Sequence, residues 1–320
     1  MAEGAGRQNV SRWVVVLVSV MLCWTISVRA DNTVILQSGY ERYSLNSYLS
    51  YLVDVKGDRS LDDVLADARW QPNVAGSVLN FGFTRATVWV KVRVQIPESQ
   101  QSWHLVVPYP LLEHTELFVV PETGPAAALP VIDGRARSPI RSHHVNFALP
   151  VDMPGERMLV LRVSSSTSLQ IPLELWSRDY LTGRQNTETL FWGLYFGVML
   201  ALIAYNFFLY LSMRDGAYLC YVFYLVSIVG LMLSLSGFGL LHVWNAPVWS
   251  RYVLPLASGL TSFWAIMFAL SFLHGNGIHP GLRLLLQLVA AASLALVPYA
   301  FVQPGQGALA AGSLAVVSVA

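Results

Sequence analysis

Residues 87–94 alternate strictly between valine and larger or charged side chains, in the order Thr87-Val88-Trp89-Val90-Lys91-Val92-Arg93-Val94. In a β-strand, successive side chains point to opposite faces of the sheet. The stretch therefore predicts a strand that directs its valines into a core and presents Trp89, Lys91 and Arg93 on its other face.

The sequence around this stretch predicts further short strands. The candidates are residues 103–109, 116–120, 143–149, 158–164 and 169–175. Proline, glycine and aspartate residues that favour turns separate them. Short strands at this spacing predict an all-β antiparallel sandwich over residues 31–180. One short helix is expected within it, because Ser60 and Asp63 have the spacing of a helix capping box.

From residue 191 onward the only charged side chains are Arg214, Asp215, Arg251 and Arg283. The whole chain is 12% charged, whereas soluble proteins carry about 25%. Apolar runs predict transmembrane spans at about residues 190–211, 218–235, 253–272 and 284–301. A fifth, at residues 309–320, is interrupted by the end of the chain, so we expect a fragment of a longer protein. Residues 181–320 should thus form a truncated α-helical transmembrane bundle.

The first 30 residues have the pattern of a signal peptide. Arg7 and Arg12 precede an apolar run at 13–28, and cleavage after Ala30 would begin the mature chain at Asp31. An uncleaved signal anchor is the alternative. Export of the sandwich would direct the first span inward. Cys23 and Cys220 both fall in apolar segments, so no disulfide is expected in the exported domain.

The polar face of the sandwich is the candidate ligand-binding site. Trp89, Lys91 and Arg93 share one side of their strand, and Arg162 and His104 are expected on the same polar face from two other strands. An aromatic ring beside cationic donors could stack a sugar or bind a carboxylate. The alternative is an ordinary solvated sheet face with Trp89 covered by a loop.

No catalytic or metal-binding pattern is found in the sequence. It has no nucleophile elbow, zinc-protease helix or phosphate-binding loop. His143 and His144 are adjacent, so on a strand they would point to opposite faces and could not both bind one metal ion directly. No catalytic residue, metal or cofactor is therefore predicted. A net charge of +1 argues against a nucleic-acid partner.

Several segments together resemble the bacterial seven-transmembrane receptors with diverse intracellular signalling modules, with their type 2 extracellular domain. In the exported domain these are residues 44–54, SLNSYLSYLVD, residues 79–84, LNFGFT, residues 88–91, VWVK, residues 161–165, LRVSS, and residues 169–173, LQIPL. Residues 193–215 and 218–221 resemble the start of that family's helical region. The resemblance implies a jelly-roll sandwich like that of carbohydrate-binding modules.

The resemblance also implies a receptor in the bacterial cytoplasmic membrane, multi-pass, with its N-terminal domain in the periplasm. Its output would be a cytoplasmic diguanylate cyclase or histidine kinase. We further expect the protein to bind a small ligand that is sugar-like or carboxylate-like, to contact membrane lipids and to form a homodimer. The fragment itself should have no enzymatic activity. The main alternative is a membrane-tethered carbohydrate-binding or scaffold protein without signalling output. An exported hydrolase is disfavoured because the sandwich sequence shows no positioned carboxylate pair or catalytic triad. A transporter is disfavoured because the predicted spans are nearly uncharged.

Overall fold

A computed structural model describes residues 33–37, 39–98, 101–121, 142–149, 154–244, 247–272 and 279–302. The chain divides into two compact units, Met1–Thr33 and Val34–Ala320. The predicted signal peptide and the predicted fifth span lie outside the described residues.

The part of the second unit that precedes residue 178 is built of strands. They are β1 Val34–Ile35, β2 Arg42–Ser44, β3 Ser50–Asp54, β4 Gln71–Pro72, β5 Leu79–Phe83, β6 Thr87–Ile96, β7 Trp103–Val107, β8 His114–Pro121, β9 Val145–Ala148, β10 Gly155–Ser164, β11 Ser168–Ile171 and β12 Glu174–Ser177. In the described residues a 3-10 helix, Asn46–Tyr48, and one α-helix, α1 Leu61–Leu65, interrupt them. Ser60 accepts a hydrogen bond from the amide of Asp63, whose side chain in turn accepts from the Ser60 amide, which confirms the predicted capping box.

The strands form a sandwich of antiparallel sheets around one apolar core. The larger sheet has the order β4-β3-β6-β10-β8, with β1 added parallel to β6. The smaller sheets have the orders β2-β12-β7-β9 and β11-β5. Val88, Val90, Val92 and Val94 of β6 lie in the core with Leu105 of β7, as the alternation predicts.

The predicted strand at residues 169–175 is wrong in one respect, because two strands occupy this segment. β11 pairs with β5, whereas β12 pairs with β2 and β7 in another sheet. Pro172 lies between them, and a proline cannot donate a backbone hydrogen bond to a sheet. The chain therefore changes sheets at this point.

Helices follow the sandwich: α2 Arg178–Met213, α3 Gly216–Leu235, α4 Phe238–His242, α5 Pro247–Phe272 and α6 Pro280–Val302. Among the described residues, three helical stretches are long and apolar enough to cross a membrane: Arg178–Met213, Gly216–Leu235 and Tyr252–Phe272. A shorter apolar stretch spans Pro280–Ala295 in α6. The helical half of the described chain thus has the physical character of a membrane bundle.

No linker separates the sandwich from the first long helix. Ser177 ends β12, and its side chain caps α2 by accepting a hydrogen bond from the amide of Tyr180 at 3.2 Å. Trp176 and Leu181, on either side of this cap, pack with Val106 of β7 in a small buried cluster. Strand β12 and helix α2 are therefore joined both covalently and by apolar packing.

Candidate functional site

The structure brings four of the five predicted ligand-binding residues together on the outer face of the larger sheet. Trp89, Lys91 and Arg93 alternate along β6, and the register with β10 places Arg162 directly opposite Trp89. The Arg162 guanidinium lies 5.6 Å from the centre of the Trp89 ring. This grouping agrees with the pattern in the sequence.

The ring of Trp89 is covered rather than presented to solvent. It is 1% exposed and packs in a second apolar cluster with Leu52, Val64 and Val160. Val64 belongs to α1, and Trp70 joins the cluster from the segment that follows this helix. A sugar therefore cannot stack on Trp89 in this conformation.

The cations of this face already have partners within the protein. Arg162 donates to Glu116 Oε2 at 3.1 Å and to the carbonyl oxygen of Gly57 at 2.9 Å. The ammonium of Lys91 lies 4.3 Å from the centre of the Trp70 ring. Arg93 is the most exposed of the three. Arg93 is therefore the cation of this group that is most accessible to a ligand.

His104 does not lie on this face. It belongs to β7 in the four-stranded sheet and is only 2% exposed. Burial lowers the pKa of His104, and the charge of Arg178 lowers it further. His104 is therefore a buried side chain whose surroundings favour the neutral imidazole. It lies near the start of α2, separate from the other four predicted residues.

A second group of polar side chains lies where the sandwich meets α2. Strand β9 begins only at Val145, and residues 143–144 form a bend in which Ser142 Oγ accepts from the His144 amide. The expectation that His143 and His144 point apart is therefore wrong. Their ring centres are 4.1 Å apart.

Both histidines face a carboxylate from the helix. The Nε2 atoms of His143 and His144 lie 2.7 and 3.1 Å from Glu188 Oε2. Arg184, one turn earlier in α2, donates to the other oxygen of Glu188 at 2.6 Å. We call His143, His144 and Glu188 the junction triad. One nitrogen or oxygen atom from each residue lies within 4.8 Å of the others.

Aromatic rings surround the junction triad. The ring of Phe238, the first residue of α4, lies 4.9 Å from that of His143, and Trp176 meets His144 edge-on at 5.9 Å. Burial lowers the pKa of His143, against the opposing effect of Glu188. The sequence could not indicate this group, because Glu188 and the histidines are more than 40 residues apart and share no motif.

A third polar contact joins β12 to the neighbouring strand β2. Glu174 accepts two hydrogen bonds from Arg42, at 2.6 and 2.8 Å, and one from the indole nitrogen of Trp176 at 2.6 Å. Its carboxylate therefore connects β2 to the strand that continues into α2. This contact, the junction triad and the Ser177 cap all fix the position of the helix relative to the sandwich.

Comparison with protein families gives two matches. Residues 46–177 match the 7TMR-DISM extracellular 2 domain, and residues 188–320 match the 7TM diverse intracellular signalling region. A search of curated proteins gives no match. The first match ends at Ser177, where β12 ends and α2 begins. The chain therefore belongs to the 7TMR-DISM family of membrane receptors and carries an extracellular domain followed by the family's transmembrane region.

Proposed function

We propose that the chain is the sensory and transmembrane part of a bacterial signal-transduction receptor in the cytoplasmic membrane. Its sandwich would bind a small ligand in the periplasm. The observation that carries this proposal is the direct continuation of β12 into α2 at Ser177. A sensor needs such a connection, because a flexible linker would absorb any displacement of its binding domain.

The contacts at the junction support transmission of a displacement. Trp176 and Leu181 are buried against Val106, and Glu174 holds β12 to β2 through Arg42. A shift of β12 within its sheet would therefore move the start of α2 as well. A ligand can drive such a shift only if it binds one of two arrangements more tightly.

The accessible cations favour a small carboxylate as the ligand class. Lys91, Arg93 and Arg162 lie on one face, and Arg93 is the exposed arginine of the three. An arginine can bind a carboxylate through two parallel hydrogen bonds. A sugar would require displacement of α1 and Trp70 from the ring of Trp89. The output would be a cytoplasmic effector such as a diguanylate cyclase or a histidine kinase.

A ligand screen tests the proposal. The whole chain in lipid nanodiscs is melted with small carboxylates, amino acids and sugars, one at a time. A ligand at a hundredfold its dissociation constant should stabilise the sandwich by about 2.7 kcal/mol. Arg93→Ala and Arg162→Ala should abolish the effect, whereas Arg283→Ala, which removes an exposed cation of α6, should retain it.

Two results would contradict the proposal. If no compound of the panel raises the melting temperature, the sandwich does not bind a small ligand of these classes. If a compound binds equally well to both arginine variants, its site lies elsewhere in the chain.

A further inference from the structure

The junction triad has the donor atoms of a transition-metal site. Two imidazole nitrogens and one carboxylate oxygen converge, with one atom from each residue within 4.8 Å of the others. Zinc binds such atoms at about 2.0–2.2 Å, so its ligand atoms lie about 3.3 Å apart in a tetrahedral site. The distances of 2.7 and 3.1 Å to Glu188 Oε2 are close to this spacing. Small rotations of the side chains would admit an ion.

The surroundings suit a site with three protein ligands. The side chain of His143 is 3% exposed, whereas those of His144 and Glu188 are 13% and 17% exposed. An ion would be enclosed on one side and reachable from the other, with a position left for water. Arg184 occupies Glu188 Oε1, so the second oxygen remains directed at the histidines.

The ligands come from two parts of the molecule. His143 and His144 belong to the sandwich, in the bend before β9, and Glu188 belongs to α2. Phe238, at the start of α4, packs on the ring of His143. An ion held here would thus fix the sandwich to the first long helix, beside the connection between α3 and α4.

We propose that His143, His144 and Glu188 bind a zinc-like divalent transition-metal ion that fastens the sandwich to α2. The ion would act at the junction, away from the cationic face formed by Lys91, Arg93 and Arg162. Its binding requires no occupant on that face. The metal site and the small-ligand site can therefore be tested independently.

The test uses the whole chain in detergent, stripped of metal with a chelator and titrated with Co²⁺ and then Zn²⁺. We expect one Co²⁺ per chain, with the visible absorption bands of a four-coordinate ion, and displacement of that ion by Zn²⁺. His144→Gln and Glu188→Gln should each weaken binding by at least about 100-fold, since even residues behind metal ligands contribute about 10–100-fold. His114→Gln, which removes an exposed histidine of β8, should bind like the wild type.

A second measurement separates loss of the site from loss of the fold. Zn²⁺ should raise the melting temperature of the wild type and of His114→Gln, and leave that of a folded His144→Gln variant unchanged. The proposal is overturned if the wild type binds no Co²⁺ or Zn²⁺ at 1 mM. It is also overturned if His144→Gln and Glu188→Gln bind as tightly as the wild type. The triad would then be hydrogen-bonded only.

Discussion

Glu174 is a partly buried carboxylate whose charge stabilises the edge of the sandwich. Burial raises its pKa, but the hydrogen bonds from Arg42 and Trp176 outweigh this effect, so the pKa of Glu174 lies below its ordinary value. The unfolded chain therefore takes up this proton at a higher pH than the folded chain does. Stability from Glu174 is fully present above about pH 4.5 and is lost as the pH falls through the folded pKa.

The variant Glu174→Gln should show both consequences. At pH 7 we expect it to lower the free energy of unfolding by about 1–2 kcal/mol, less than the 3–5 kcal/mol of a fully buried pair, because Arg42 is half exposed. Below pH 4.5 the difference from the wild type should shrink. Denaturant unfolding from pH 7 to pH 3 measures this, with the exposed Glu98→Gln as control. A difference that stays constant over this range would contradict the assignment.

Trp89 is the residue whose role the structure changes most. Its ring is 1% exposed and stacks on Phe118 at 5.8 Å, so its truncation should leave a cavity. Trp89→Ala should lower the free energy of unfolding by about 3–5 kcal/mol. Lys91→Ala, on the same face, should cost less than about 1 kcal/mol. A similarly small loss for Trp89→Ala would show that the ring is not enclosed in solution.

At the scale of elements, the connection between α3 and α4 fits against the sandwich without spare room. Gly237 has a φ of 75°, a backbone conformation that residues with a side chain rarely adopt. A Cβ atom at this position would lie 2.7 Å from Pro110 Cβ and 3.1 Å from the His143 carbonyl oxygen. Gly82 has a similar φ of 61°, but nothing lies within 4 Å of its Cβ position. An alanine at Gly82 would therefore introduce backbone strain alone, whereas an alanine at Gly237 would introduce both backbone strain and steric contact.

Gly237→Ala should therefore be more harmful than Gly82→Ala. We expect Gly82→Ala to cost about 1 kcal/mol from its backbone alone, and Gly237→Ala to add about 1–3 kcal/mol of overpacking. Hydrogen exchange of amides 236–243 should accelerate in Gly237→Ala only. Equal exchange in both variants would mean that this connection does not press on the sandwich.

The elements that the sequence predicts well are those with a local signal. The valines of β6 and the capping box at Ser60 each lie within a few neighbouring residues, and both are confirmed. The cover of Trp89 depends on α1, which is distant in the sequence and only five residues long. The junction triad depends on the bend at His143 and on a helix that begins more than 30 residues later. Periodicity carries no information about such contacts.

At the scale of the whole molecule, α2 is longer than a membrane requires. Its 36 residues extend about 54 Å, against a hydrocarbon core of about 30 Å. The first turns, which carry Arg184 and Glu188, can therefore stand outside the membrane with the extracellular sandwich. Helix α3 leads back, so the residues after Leu235 return to the sandwich at Gly237 and Phe238.

This arrangement predicts which connections face the outside. Single cysteines replace Arg214, between α2 and α3, and Val243, which follows α4 and is 62% exposed. The background lacks Cys23 and Cys220. A maleimide that cannot cross membranes should label Val243→Cys in intact spheroplasts and leave Arg214→Cys unlabelled, because α2 separates the two sides. Both should react once the membrane is permeabilised. Labelling of Arg214→Cys before that step would show that α2 does not cross the membrane, and transmission of a signal through it would be untenable.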